Sequence, residues 1–366
     1  MTSLIARAGY SCPSAETGSN KTIAIAKRAR IHPAIIDFVS YQFLWEPGCS
    51  CQYRKGMDRY HDSIRERVAP RLDCGKALQS FARKPMVVSL EAVQSDESGV
   101  ARRTSIFREG LLEDRIALIT GGSSGIGLGI ARVFAELGAT LVIVGRREDK
   151  LAAAKQQLMR EVPGAEPVTI AVDVRKHLAI RDSIHGIVER FGRLDVLINN
   201  AAGNFHCPTE DMSENAWRTV IDIDLHGTFN CCQAALAGLK ASPGGGRIIN
   251  ITVPQALSGW PGSAHAASAK AGVLSLTRSL AVEWGGYGIR VNNVLPGPIA
   301  GTEGLKRLYQ DRGVADREIE RMALGSFGLV DDIANACAFL VSPGGDFVTG
   351  CDFMVDGGRW LKRGWA

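Results

Sequence analysis

The run Thr120-Gly-Gly-Ser-Ser-Gly-Ile-Gly127 is where residue types and spacing first suggest chemistry. Gly121, Gly125 and Gly127 let the backbone turn tightly and approach an anion, and the N–H groups of a following helix start would face it. Ser123, Ser124 and Ile126 fall in the same loop. The next apolar run, Thr140–Val144, ends in Gly145-Arg146-Arg147 with no acid at its tip. An acid there would hold a ribose 2′-OH. Two guanidiniums suit a 2′-phosphate instead, and a solvated basic turn is the alternative. Asp173, with Val174 after it, follows a third run and is placed to accept from an adenine amino group. Asn199-Asn200-Ala201 closes a fourth, where a sheet's carboxyl edge meets a cofactor. The expected ligand is a dinucleotide, NADPH in preference to NADH.

Something must hold these segments together. Short apolar runs at Arg115–Thr120, Thr140–Val144, Val168–Val172, Asp195–Asn199, Arg247–Ile251, Arg290–Val294 and Asp352–Val355 alternate with longer helical patterns. That alternation predicts an α/β fold, a doubly wound seven-stranded parallel sheet of Rossmann type with right-handed crossovers. The chain shows no internal repeat.

Composition narrows the field further. The 366 residues are 45% hydrophobic and 22% charged, which excludes collagen-like, coiled-coil and wholly disordered chains. No apolar run reaches the roughly 18–20 residues of a membrane span. The net charge of +5 divides into +6 over residues 1–110 and −1 over the rest, so the latter gives no reason to expect nucleic acid. Residues 1–110 lack periodicity and read as an irregular N-terminal extension, residues 111–366 as the working domain. Arg7, Lys21, Lys27, Arg28 and Arg30 face only Glu16 in the first 30 residues, as in a targeting region, and Met86 is a plausible later start. The last residues are not a Ser-Lys-Leu-type address. Nine scattered cysteines read as reduced thiols. Cys49, Cys51, His61 and Cys74 fit no zinc spacing, so no metal is expected.

From about Ser105 onward the chain resembles the short-chain dehydrogenase/reductase family. The carriers are Thr-Gly-x-x-x-Gly-x-Gly at 120–127, Asn-Asn-Ala at 199–201, Pro296-Gly297 and Val348-Thr-Gly350. One departure is informative. The family usually sets a Tyr four residues before its catalytic Lys, yet Ala266 stands four before Lys270. The usual Ser is missing from Ile251-Thr-Val-Pro-Gln255. This absence resembles the 2,4-dienoyl-CoA reductase branch of the family, as do Ala201-Ala-Gly-Asn-Phe205, Asp222-Ile-Asp224, Ala264–Lys270 and Pro296–Gly304. Gln255 stands where mitochondrial members carry a Tyr, so the resemblance is to the peroxisomal type. It implies Asp224 and Lys270 as catalytic residues. It adds Pro296, Gly297, Ile299 and Thr302 to the NADPH site. It implies Arg146, Arg175, Phe205, Ser213, Asn215 and Arg307 at an acyl-CoA substrate, and a homo-oligomer, a tetramer. It also implies a peroxisome, with the basic front segment leaving a mitochondrion open.

Reducing a conjugated dienoyl thioester needs hydride at the far end of the conjugation, a proton elsewhere, and a held carbonyl oxygen. Lys270 can bond the nicotinamide ribose, and Asp224 can anchor a water and pass a proton through it. Beside Lys270, Asp224 should stay ionised unless desolvation wins. The bland alternatives are a surface or helix-kink carboxylate and a solvated lysine. His206, His226 and His265 read as packing or polar lining. A 2-enoyl-CoA reductase and a non-catalytic NADPH-binding protein are the competing functions.

Overall fold

The computed structural model describes residues 93–95, 101–103 and 107–362. The targeting, late-start and cysteine–histidine readings of the front segment lie outside the described residues. The compact unit carrying the sheet takes in Val88–Ala366. A short antiparallel hairpin, Val93–Ser95 with Ala101–Arg103, stands in the stretch expected to be irregular. Leu112 is buried and Phe107 packs against the core.

Seven strands follow: β1 (Ile116–Thr120), β2 (Thr140–Gly145), β3 (Val168–Ala171), β4 (Val196–Asn199), β5 (Arg247–Ile251), β6 (Arg290–Pro296) and β7 (Asp352–Val355). Their order is β3-β2-β1-β4-β5-β6-β7 and every pairing is parallel. The order reverses between β1 and β4, and the ends of those two strands open the crevice that binds ligands in such sheets.

Alternation along the strands feeds two cores. Ala117, Ile119, Ile143, Ile198 and Ile249 face helices α1 (Gly125–Glu136) and α7 (Val330–Val341). Leu118, Val142, Leu197, Ile248 and Val291 face α3 (His177–Phe191), α5 (Gly227–Lys240) and α6 (Ala264–Trp284). Helix α2 (Glu148–Glu161) covers β2 and β3. Both faces are covered, so the strands read as nearly continuous apolar runs. Helix α4 (Glu214–Ile221) continues into α5 through a π turn, Asp222–His226.

A polar ladder crosses this apolar sheet. Asn199 donates to Asn250 at 2.8 Å, Asn250 to Thr277 at 2.8 Å, Thr277 to Asn293 at 2.7 Å, and Asn293 to Asp352 at 2.7 Å. Asn250, Thr277 and Asn293 are fully buried, so each depends on its neighbour for a partner.

Candidate functional site

The glycine loop sits between β1 and α1, with Ser124 as the extended residue before the helix. Gly121 has φ +63°, and a Cβ there would stand 2.9 Å from Asn200 Nδ2 and 3.1 Å from the Ala201 backbone. Only glycine leaves that cradle open. Thr120 pins its far wall: its Oγ1 accepts the N–H groups of Asn200 at 3.0 Å and Ala201 at 3.1 Å. Asn200 Nδ2 returns bonds of 3.2 Å to the carbonyls of Thr120 and Gly121.

A single cleft at the β1–β4 switch point is lined by Gly121, Ser123, Ser124, Arg146, Arg147, Asp173, Val174, Asn200 and Ala201. The start of α1 beside it and the rim of two exposed arginines fit a dinucleotide diphosphate and a further phosphate. Gly125, Ile126 and Gly127 form the first turn of α1 beside it. The remaining expected cofactor residues lie at the end of β6 and after it, and Thr302 stands against the glycine loop, its side chain 3.8 Å from where a Cβ at Gly125 would lie. Pro296 is buried at the end of β6, and Thr302 caps the next turn, accepting the Leu305 N–H at 3.1 Å. Gly297 and Ile299 line a second cavity, together with Asp356, which the sequence did not single out.

Asp173 and Arg175 pair with each other. The Arg175 guanidinium reaches both carboxylate oxygens, the closest contact being 2.6 Å, and holds the Asp173 carboxyl below the usual carboxylate range. Arg175 is therefore engaged at the cleft. Arg307 is exposed and pairs with Glu303 at 2.7 Å. Ser213 caps α4 by accepting the Ala216 N–H at 3.2 Å, and Asn215 is exposed in the first turn. Phe205 is half-buried on the loop after β4.

The centre is built by the π turn and α6. Asp224, 1% exposed, accepts the Gly203 N–H at 2.7 Å through Oδ1, and its Oδ2 lies 3.5 Å from Lys270 Nζ. Lys270, 5% exposed, donates to the Ile251 carbonyl at 2.9 Å. Burial pushes the Asp224 pKa up, against the opposing Lys270 charge and Gly203 N–H. Desolvation is the larger influence, the condition under which Asp224 was expected to depart from ordinary ionisation beside Lys270. Ala266 is buried at the position expected for tyrosine. Of the two tyrosines in the fold, Tyr309 is pushed up to about 12 by burial, and Tyr287 is exposed beside Lys240.

The three histidines divide. His206 is exposed beside Gly262, and His226 is exposed and pairs with Asp222 at 2.8 Å. His265 is fully buried, with Phe205 edge-on to its ring at 4.4 Å between centroids. Among the described residues no group of three or more His, Cys, Asp or Glu could hold a metal ion. Among those residues no helix is long and apolar enough to cross a membrane.

Residues 121–359 match the family model described as enoyl-(acyl carrier protein) reductase. This chain belongs to the short-chain dehydrogenase/reductase family. Family membership accounts for the cleft, because the family binds nicotinamide dinucleotides. A Bacillus subtilis relative named probable 2,4-dienoyl-CoA reductase [(2E)-enoyl-CoA-producing] is 42% identical over 252 residues, covering 69% of this chain and 98% of its own. A Danio rerio relative named peroxisomal 2,4-dienoyl-CoA reductase [(3E)-enoyl-CoA-producing] is 41% identical over 283 residues, covering 77% and 93%. A crystal structure of a short chain dehydrogenase from Bacillus anthracis superposes with TM-score 0.62 at 44% identity, covering 68% of this chain and 97% of that one.

Thr120 and His265 are the residues the sequence underplayed. The role of Thr120 is visible only once β4 lies beside β1, 80 positions away. His265 lies one residue before Ala266, and that adjacency was the one available signal.

Proposed function

We propose that the protein is an NADPH-dependent 2,4-dienoyl-CoA reductase that gives a 3-enoyl-CoA. The observation that carries this reading is the buried Asp224–Lys270 pair beside Gly203, with Ala266 where a tyrosine would serve an alcohol or ketone. The names of the relatives supply the substrate class.

NADPH supplies hydride when bound. Arg146 and Arg147 would hold its 2′-phosphate and the Gly121–Gly127 loop its diphosphate. Lys270, fixed by the Ile251 carbonyl, would orient the ribose and keep the local field positive. Asp224, whose raised pKa favours the protonated form, would relay a proton through water to the dienolate. Protonation at carbon 2 gives the 3-enoyl product; protonation at carbon 4 would give the 2-enoyl isomer. Arg146, Arg175, Phe205, Ser213, Asn215 and Arg307 remain the candidate acyl-CoA contacts. Reorientation of Arg175 toward the coenzyme A phosphates would release Asp173 for the adenine.

In this reading the protein is peroxisomal, like the Danio rerio relative, and residues 1–110 are an extension outside the catalytic domain at 111–366. Exposed Trp217, Phe229 and Val282 on α4, α5 and α6 favour the expected homo-oligomer, a tetramer. The test is NADPH consumption with 2,4-hexadienoyl-CoA, with 2-hexenoyl-CoA and without acyl-CoA. Turnover with the diene alone supports the reading. Turnover with the monoene alone, or none with either, overturns it.

A further inference from the structure

His265 is the second residue of α6 and is fully buried. Its Nδ1 lies 2.8 Å from the Ala266 backbone nitrogen. A backbone N–H can only donate, so Nδ1 accepts and the ring proton sits on Nε2. Burial, the largest influence, holds the imidazole below its usual pKa, against the nearby Ser263 backbone and Asp224 carboxyl. Nε2 is itself buried and has no partner in the protein. Among the described residues one other buried side-chain N–H shares that condition, Arg247 Nε. Arg247 begins β5, at the end of the strands away from the cleft. Asn204 Oδ1, on the loop that brings Phe205 against the imidazole, is buried and unpartnered too.

We propose that His265 Nε2–H donates a hydrogen bond to the thioester carbonyl oxygen of the dienoyl-CoA and holds the negative charge that gathers there. This deepens the reading given above and rests on it. The proton stays on Nε2 throughout; the proton that reaches carbon comes by the Asp224 route. Phe205 covers the imidazole, and the arriving thioester takes its place. A preorganised neutral donor in a dry site is the kind of group that stabilises a forming oxyanion. The phenol and hydroxyl that relatives would use are missing at Ala266 and within Ile251–Gln255, and His265 is the adjacent residue on the same helix.

The test uses full-length protein with His265→Leu and His265→Gln. Two readouts are taken: turnover of 2,4-hexadienoyl-CoA with NADPH, and the absorbance band of that thioester bound to the NADP+ form, where no hydride is available. A hydrogen bond to the carbonyl polarises the conjugated system, so the wild-type protein should shift the band to the red. His265→Leu should abolish the shift and lower kcat about 100-fold, with the KM for NADPH within about twofold. His265→Gln, which keeps an N–H within reach, should recover part of both. Unchanged kcat and an unchanged shift in His265→Leu overturn the proposal and leave the reductase reading standing. Wild-type protein that binds NADPH but neither shifts nor reduces the diene overturns both. If His265→Leu fails to bind NADPH, His265→Gln decides: a retained shift supports the bond and a lost shift rejects it.

Discussion

The Lys270 ammonium lies 3.5 Å from Asp224 Oδ2 yet gives its short bond, 2.9 Å, to the Ile251 carbonyl. The carboxyl accepts its own short contact, 2.7 Å, from the Gly203 N–H. Each group is thus anchored by backbone, and the two face each other without merging. That leaves Asp224 Oδ2, the oxygen without the short contact, facing the lysine.

Asp224→Asn should lower dienoyl-CoA turnover at least about 100-fold, the low end for loss of a general acid–base group, while NADPH still binds. Steady-state kinetics with cofactor titration by fluorescence would measure this. Near-normal turnover would mean that another donor protonates the dienolate.

The same carboxyl should tie stability to pH. Burial raises its pKa in the folded protein, so the folded state keeps this proton at pH values where the unfolded chain has released it. The linked stability therefore falls as pH rises from the ordinary carboxylate value of 3.8 through the raised one. Asp224→Asn has no such titration. Its Tm relative to wild type should climb as pH rises above the ordinary carboxylate value of 3.8. A flat difference across that range would show that Lys270 holds the carboxylate ionised.

Arg146 and Arg147 should give NADPH a preference over NADH of roughly 10–100-fold, the equivalent of a charge-assisted contact of about 1.5–3 kcal/mol. Arg146→Ala should raise the KM for NADPH and spare that for NADH. Equal use of the two cofactors by the wild-type protein would contradict the phosphate role.

The product of 2,4-hexadienoyl-CoA should be the 3-enoyl isomer, identified by NMR of the released thioester. The 2-enoyl isomer would align the protein with the printed activity of the Bacillus subtilis relative instead.

Thr277→Val should unsettle the fold more than the chemistry. The substitution strands Asn250 Nδ2 and Asn293 Oδ1 in the core. At about 1–3 kcal/mol for each of the two buried groups left unpaired, Tm should drop by roughly 4–24 °C. Thermal melts would measure the drop, and kcat at 25 °C should stay within about threefold. An unchanged Tm would show that the ladder contributes little.

The sheet was legible because parallel strands covered on both faces must be apolar throughout, and runs such as Leu141–Val144 or Ile248–Ile249 have no other use. The cofactor cleft was legible because Gly121 and the Arg146–Arg147 tip are local signals, each complete within a few residues. What was not legible depends on partners far away in sequence. Asp173 looked free for an adenine until Arg175 folded back on it. Asp224 looked ionised because its distance to Lys270 could be guessed and its burial could not. His265 looked like packing because an orphaned nitrogen is a property of the whole enclosure and of no segment.

The π turn at Asp222–His226 is one residue more than an α-helix would use between Glu214 and Lys240. One residue is about 100° of rotation, so α4 and α5 run out of phase by that amount. Residue count, with no help from any side chain, thereby acts as a dial that aims the carboxylate. Removing Ile223 would force a choice: either α4 rolls its packed face away, or Asp224 turns from the Gly203 N–H. In an alignment, a one-residue gap at this point would mark a chain that has lost the aim of its acid even where the aspartate itself is still written.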